Sequence, residues 1–355
     1  MRVHAPLRRL TAAAAICAMA MSFALPAFAV TYDAKEVKLT HDVGHGCAAA
    51  AINDAGQITG GCYTEDDLFS VGSTTGPKGK NPTDLGLLGG VDSYGFGINN
   101  NGMVVGEATL AGDLTYHAVL RRPNDSEPID LGTLGGDYAA ARGINDSGQI
   151  VGYGLTSSGD SHIFVATVND NRLVDIGGLS TFNNVARAIN KKGIIVGNGA
   201  TPDGKETHAF YAKSPHYKFV DLGTLGGRAS SAAAISDNGL VVGYSTFDSS
   251  GLRRAFVVDI GQEGIMKDLG TPAGRFSTAS GVNEHGQIVG QFVREDNLTA
   301  AAFMCSGDCA DFVDLTTVTS GLPQGVLLSY ANAINKKGRI IAKGSDNKIY
   351  LLTPH

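Results

Sequence analysis

The chain has 355 residues, with 28 Lys and Arg against 34 Asp and Glu, 48 Gly and no Trp. This acidic balance lacks the electrostatic footprint of a nucleic-acid or anionic-lipid binder. Charged residues are only 17% of the chain, and a composition so rich in Gly predicts short strands and turns rather than amphipathic helices.

At the N-terminus Arg2, Arg8 and Arg9 precede an apolar run from Leu10 to Leu25, and Ala27-Phe28-Ala29 is a small-x-small cleavage site. The pattern predicts a secretory signal peptide over residues 1–29 and a single mature domain over residues 30–355. Leu10-Thr11-Ala12 is a poor continuation of a twin-arginine signal, and the bulky Ile16 before Cys17 argues against a lipid-modified cysteine. Without the three arginines of the signal, 25 basic side chains face 34 acidic ones, a net charge of −9. No later stretch approaches the roughly 20 apolar residues that span a bilayer. The expected product is soluble and exported to the periplasm or medium.

From Ile52 onward one phrase recurs seven times: Ile/Val-Asn/Ser-x-x-Gly-x-Ile/Val. The copies begin at Ile52, Ile98, Ile144, Ile189, Ile235, Val282 and Ile334, in steps of 46, 46, 45, 46, 47 and 52 residues. A fixed period of this size marks stacked supersecondary units. Each period resolves into four short strands. The first ends at the Ile or Val, with Ala or Gly one and three residues before it, a small face suited to crowding near an axis. Asn (Ser236 once) opens the next turn and Gly closes it, as in a type I turn followed by a left-handed glycine. The second strand reads like Ile150-Val151-Gly152, the third like His208-Ala209-Phe210-Tyr211, and the fourth like Phe219-Val220-Asp221-Leu222 before a Gly-rich link.

The ends of the chain are out of phase with the repeat. Lys348 to Leu352 is a third strand with no fourth behind it, while Glu36-Val37-Lys38-Leu39 sits where a fourth strand belongs, 14 residues before Ile52. A ring needs such a permutation to lock its first and last units together and to remove open sheet edges. The expected fold is therefore all-β: a seven-bladed β-propeller of four-stranded blades, closed three-plus-one by the mature N-terminal strand.

The Asp-Leu-Gly-Thr-Leu-Gly-Gly phrase at 130–136 and 221–227, together with residues 144–152 and His208-Ala209-Phe210, resembles the bacterial extracellular repeat family called HAF. The resemblance covers essentially the whole mature chain. Arg254, Ala301 and Lys348 depart from its His, and Thr316-Thr317 from its Gly-rich link. It implies export and a repeat fold, and carries over no catalytic residues. The lack of Trp counts against a WD40 propeller.

Four mature cysteines in an oxidising compartment predict disulfides. Cys47 and Cys62 lie symmetrically about the Asn53–Gly56 turn, and Cys305 and Cys309 flank Ser306-Gly307-Asp308. The expected pairs are Cys47–Cys62 and Cys305–Cys309, in preference to a four-thiol metal site. His117, His162 and His208 recur at one position, as do Asp130, Asp175 and Asp221. Residues repeated in this way are expected to build blades, and a blade's spacing is too large for shared metal ligation.

Function belongs where the repeats differ. Two residues before the repeated Ile, the innermost strand carries Ala50, Phe96, Arg142, Arg187, Ala233, Ser280 and Asn332. Arg142 and Arg187 in adjacent units suit a carboxylate, a sulfate or a sugar acid, or else a buried pairing with acids. Asn332 shares their position, and Tyr94, Tyr138 and Tyr330 near the start of the strand suit a glycan platform. The enlarged step around residues 319–324 either shapes a channel mouth or gives slack at the closing blade. No nucleophile elbow, zinc-protease helix or phosphate loop is present. These observations favour a monomeric, non-catalytic binding module for a glycan or an extracytoplasmic protein, with no metal, cofactor or nucleic acid. A carbohydrate-active hydrolase or lyase on an acidic substrate and a structural envelope component are the alternatives.

Overall fold

The structure, a computed structural model, describes residues 30–40, 45–64, 68–112, 114–262, 264–271, 275–296 and 298–355. The expected signal peptide lies outside the described residues. No helix among those residues is long and apolar enough to cross a membrane.

The repeated phrase builds the hairpin read from it. All seven closing glycines, from Gly56 to Gly338, have φ between 70° and 102°, a region that costs a side chain energy and glycine almost none. In each turn the closing Gly N–H donates to the carbonyl of the opening Asn or Ser, as Gly148 does to Asn145 at 3.0 Å. A typical unit runs Val185–Ile189, Ile194–Ala200, Thr207–Lys213 and Lys218–Asp221, each strand antiparallel to the next.

Hydrogen bonding groups the strands into six sheets. Four have four strands, within residues 45–84, 185–221, 230–268 and 277–314. A five-stranded sheet joins the two ends of the chain. The last is eight-stranded, over residues 89–177. The expectation of seven separate sheets is thus corrected to five discrete blades and one double sheet. The cause is local: Tyr138, at the start of the ten-residue strand Gly135–Ile144, pairs in parallel with Tyr116 of the preceding unit and welds two four-stranded meanders together.

The units form a closed ring. The innermost strand of each unit contacts that of the next, and the strand Leu328–Ile334 contacts His45–Ile52. The buried opening asparagines stitch the ring from inside. Each Nδ2 donates to the matching carbonyl of the next turn: Asn53 to Asn99 at 3.0 Å, Asn99 to Asn145 at 3.1 Å, and Asn335 back to Asn53 at 2.8 Å. Ser236 has no amide to donate, and there Asn238 reaches across to Glu284 O instead, at 3.1 Å. The asparagine therefore does more than open a turn.

Closure follows the expected permutation. Tyr32–Val37 pairs antiparallel with Ile349–Pro354, with Lys35 opposite Leu351 and Val37 opposite Ile349. The surplus residues of the long last step fasten this strand from outside. Thr319 and Ser320 pair in parallel with Tyr32 and Asp33, and Ser320 Oγ donates to Asp33 Oδ1 at 2.5 Å. They complete the sheet edge.

The core lies between neighbouring sheets. Phe164, Phe210, Phe256 and Phe303, one from each of four successive third strands, are fully buried. Burying such a ring contributes roughly 2–3 kcal/mol. Both expected disulfides form, Cys47–Cys62 and Cys305–Cys309.

Candidate functional site in the central channel

The innermost strands line the channel, and a recurring irregularity aims their side chains. Each of the seven carries a β-bulge at the position two before the repeated Ile, as between Ala141 and Gly143. A bulge leaves one residue unpaired and re-aims it. The bulged residues include Phe96, Arg142, Arg187, Ser280 and Asn332. The second strand makes room with a glycine. A Cβ on Gly152 would lie 2.1 Å from Ala140 O, and one on Gly197 2.0 Å from Val185 O. The small residues flanking the bulge have the role expected of them: a Cβ on Gly143 would already stand 3.3 Å from the Ala188 Cα of the next unit.

One mouth is formed by the seven turns, which enclose a pocket of about 230 Å³. The residue after each opening Asn or Ser makes a belt of six charged side chains and one amide, Asn100. Asn100 Nδ2 donates to Asp54 and Asp146, both at 2.9 Å. Lys191 lies 3.4 Å from Asp237, and Lys336 reaches two units away to Asp237 at 3.5 Å. Burial works against the Lys336 ammonium, but Glu284 and Asp237 together raise its pKa. The repeated Ile and Val residues line the same pocket.

The predicted residues gather on and beside the bulged positions. The Arg142 guanidinium stacks 3.7 Å over the Phe96 ring. Arg187 Nε donates to Asn198 Oδ1 at 3.4 Å. Burial and the neighbouring Arg142 lower the Arg187 pKa. Among the described residues neither arginine has a carboxylate partner within ion-pair distance, so the buried acid pairing considered from sequence is not formed. Tyr94 packs 4.8 Å from Phe96 and donates to Ala48 O at 3.0 Å. Burial pushes its phenol up to about 12, with Arg142 opposing. Tyr330 is half-buried near Arg187, beside Ser280, and desolvation raises its pKa. Tyr138 donates to Glu107 Oε2 at 2.7 Å and lies 3.2 Å from the Tyr153 hydroxyl. Asn332 is half-buried, on the same ring of bulges.

Sequence reading missed the second shelf of the wall. The residue after each second-strand glycine also faces this region, and supplies Glu107, Tyr153, Asn198 and Tyr244. Burial raises the pKa of Glu107, while the Tyr138 hydrogen bond and Arg142 work in the opposite direction. A signal was present, because that position varies from Gly61 to Lys343 while its neighbours repeat.

The repeated histidines are elsewhere, on the third strands. His117, His162 and His208 each place Nδ1 about 2.8 Å from Asp130, Asp175 and Asp221 of the fourth strand. Each Asp also accepts a backbone N–H two residues on, as Asp221 does from Gly223 at 2.7 Å. Where His is replaced the clamp persists in other chemistry: Arg254–Asp268, Arg294–Asp314 and Lys348–Glu36. These are structural clasps. Among the described residues no three His, Cys, Asp or Glu side chains are placed to hold a metal ion.

No protein-family model and no curated protein matches the chain. Solved structures do. The β-propeller domain of the Trilobed protease from Pyrococcus furiosus aligns over 86% of this chain and 95% of its own, with TM-score 0.57 and 8% identity. Pyrococcus horikoshii acylaminoacyl peptidase aligns over 89% of this chain and 52% of its own, with TM-score 0.53 and 10% identity. TolB from Acinetobacter baumannii aligns over 71% of this chain and 63% of its own, at TM-score 0.46 and 12% identity. The chain thus spans about half of that peptidase and less than two thirds of TolB. At these identities the likeness is one of fold: an all-β propeller.

Proposed function

We propose that this protein is an exported, HAF-type binding module whose central channel receives an acidic glycan. The double sheet counts in this reading as two blades fused through one bridge, giving seven repeat units around the ring. Export is supported by the two disulfides and by the N-terminal pattern that ends at Ala29.

The observation that carries the ligand class is the pair Arg142 and Arg187. Two guanidiniums from adjacent units are held in one channel without carboxylate partners among the described residues. An arriving carboxylate or sulfate gains charge-assisted, fork-shaped hydrogen bonds there. Tyr94, Tyr138 and Tyr330 supply the aromatic surfaces on which a sugar ring packs. Binding of uronic-acid oligosaccharides to protein from the exported fraction, beginning at Val30, tests this by calorimetry. Acidic oligosaccharides are expected to bind at least tenfold more tightly than neutral ones, and Arg142→Ala with Arg187→Ala to remove the preference. Indifference to the acid, or to the double variant, refutes it.

A hydrolase or lyase acting on an acidic polysaccharide is the second reading. It is favoured by Glu107, a half-buried carboxyl of raised pKa hydrogen-bonded to a tyrosine, the environment of a general acid. Unchanged polymer length after prolonged incubation with the protein excludes it.

A further inference from the structure

The channel wall has a second pole, of opposite charge. At the boundary of the double sheet's two meanders the rings of Tyr116, Tyr138 and Tyr153 follow one another, with centroids 5.9 and 5.6 Å apart. Two carboxylates stand against them: Glu107 accepts from the Tyr138 hydroxyl at 2.7 Å, and Asp92 from the Tyr116 hydroxyl at 3.2 Å. No Lys, Arg or His among the described residues forms an ion pair with either. Aromatic faces beside a carboxylate are the chemistry that holds an ammonium group, through the ring quadrupoles and a charge-assisted hydrogen bond.

This pole is close to the arginines. Glu107 pairs across the sheet with Tyr94, and Arg142 stacks on Phe96, two residues further along the same strand. Two strand residues span about 7 Å, the scale of one sugar ring with its substituents. The Tyr94 and Phe96 rings, 4.8 Å apart, form the floor between the two poles.

We propose that the channel selects an acidic amino sugar: a hexuronic acid residue with a free amine, its carboxylate on Arg142 and Arg187 and its ammonium on Glu107 among the tyrosines. This rests on the binding-module reading and narrows its ligand. Arg142 offsets part of the charge of this half-buried carboxyl from a distance, and an ammonium beside Glu107 adds the direct partner that no Lys, Arg or His among the described residues supplies. The amine therefore gains most of its interaction in the bound state, which makes the site discriminate rather than merely attract.

Four probes separate the poles in a titration followed by calorimetry or ligand-observed NMR: glucuronic acid, glucosamine, 2-amino-2-deoxyglucuronic acid and its N-acetyl derivative. The amino acid sugar is expected to bind at least tenfold more tightly than glucuronic acid, with N-acetylation abolishing the gain. Glu107→Gln, which preserves size and the Tyr138 contact, is expected to bring the affinity for the amino acid sugar down to that for glucuronic acid measured on the same variant. The wild-type comparison stands alone if that variant fails to fold. Equal affinity for the amino and plain acids, or a gain that survives Glu107→Gln, overturns this proposal and leaves the acidic-glycan reading intact. Absence of binding by every acid overturns both.

Discussion

Replacing Asn145 probes the internal stitching of the ring directly. Its buried side chain makes three hydrogen bonds: Nδ2 donates to Asn190 O of the next unit at 3.0 Å and to Gln149 Oε1 at 2.8 Å, and Oδ1 accepts from Gln149 N at 2.9 Å. Asn190 O keeps a second partner in Gly193 N, so the neighbouring carbonyl is not orphaned. The Gln149 N–H is. Leaving one such donor unsatisfied costs about 1–3 kcal/mol, and each further bond contributes about 0.5–1.5 kcal/mol net. Asn145→Ala is therefore expected to cost about 3 kcal/mol. For a domain of this size that corresponds to a fall in Tm of about 4 °C. The chain contains its own control. At the equivalent place Ser236 Oγ accepts Leu240 N at 3.0 Å, keeping the turn bond and giving up the link to the next unit. Asn145→Ser should thus cost only about 1 kcal/mol, the worth of that link. Urea denaturation followed by fluorescence and circular dichroism measures both. A loss below about 1 kcal/mol for Ala, or a Ser variant as damaged as the Ala variant, would refute the assignment of the asparagine to inter-unit stitching.

The His208 clasp predicts a pH dependence. Burial works against its charge, but hydrogen bonds to Asp221 and Glu206 raise its folded-state pKa. The stability it contributes is fully present below the unfolded value of about 6.5 and is lost as pH rises through the higher folded value. The urea midpoint should fall over that window in the wild type, and more shallowly in His208→Gln; parallel profiles would count against the clasp. The Cys47–Cys62 bridge closes a separation of 15 residues, and the chain-entropy model assigns it about 3 kcal/mol. Cys47→Ser with Cys62→Ser should lower the urea midpoint correspondingly under non-reducing conditions, and an unchanged midpoint would show that the hairpin gains nothing from it.

Much of the architecture was legible because its signals are local. Asn and Gly bracket each turn by their own backbone chemistry, and the small residues beside Phe96 and Arg142 declare a crowded strand without any knowledge of its neighbour. The phase difference between Glu36–Leu39 and Lys348–Leu352 pointed to closure by the two ends, because a four-strand period leaves an unpaired edge unless the ends complete each other, although the strand that forms is Tyr32–Val37, shifted toward the N-terminus, and pairs with Ile349–Pro354. The two arginines were legible as exceptions within a repeated position.

Tertiary structure alone decided what depends on contacts between units about 46 residues apart. The reach of Asn145 to Asn190 O, the pairing of Tyr138 with Tyr116 that fuses two meanders, and the placing of Glu107 beside Tyr138 all follow from the ring's curvature, which no single repeat encodes. The long step at residues 315–334 shows the same limit. Its length announced an insertion, but only the position of Tyr32–Val37 at an open sheet edge gave Thr319 and Ser320 a strand to pair with.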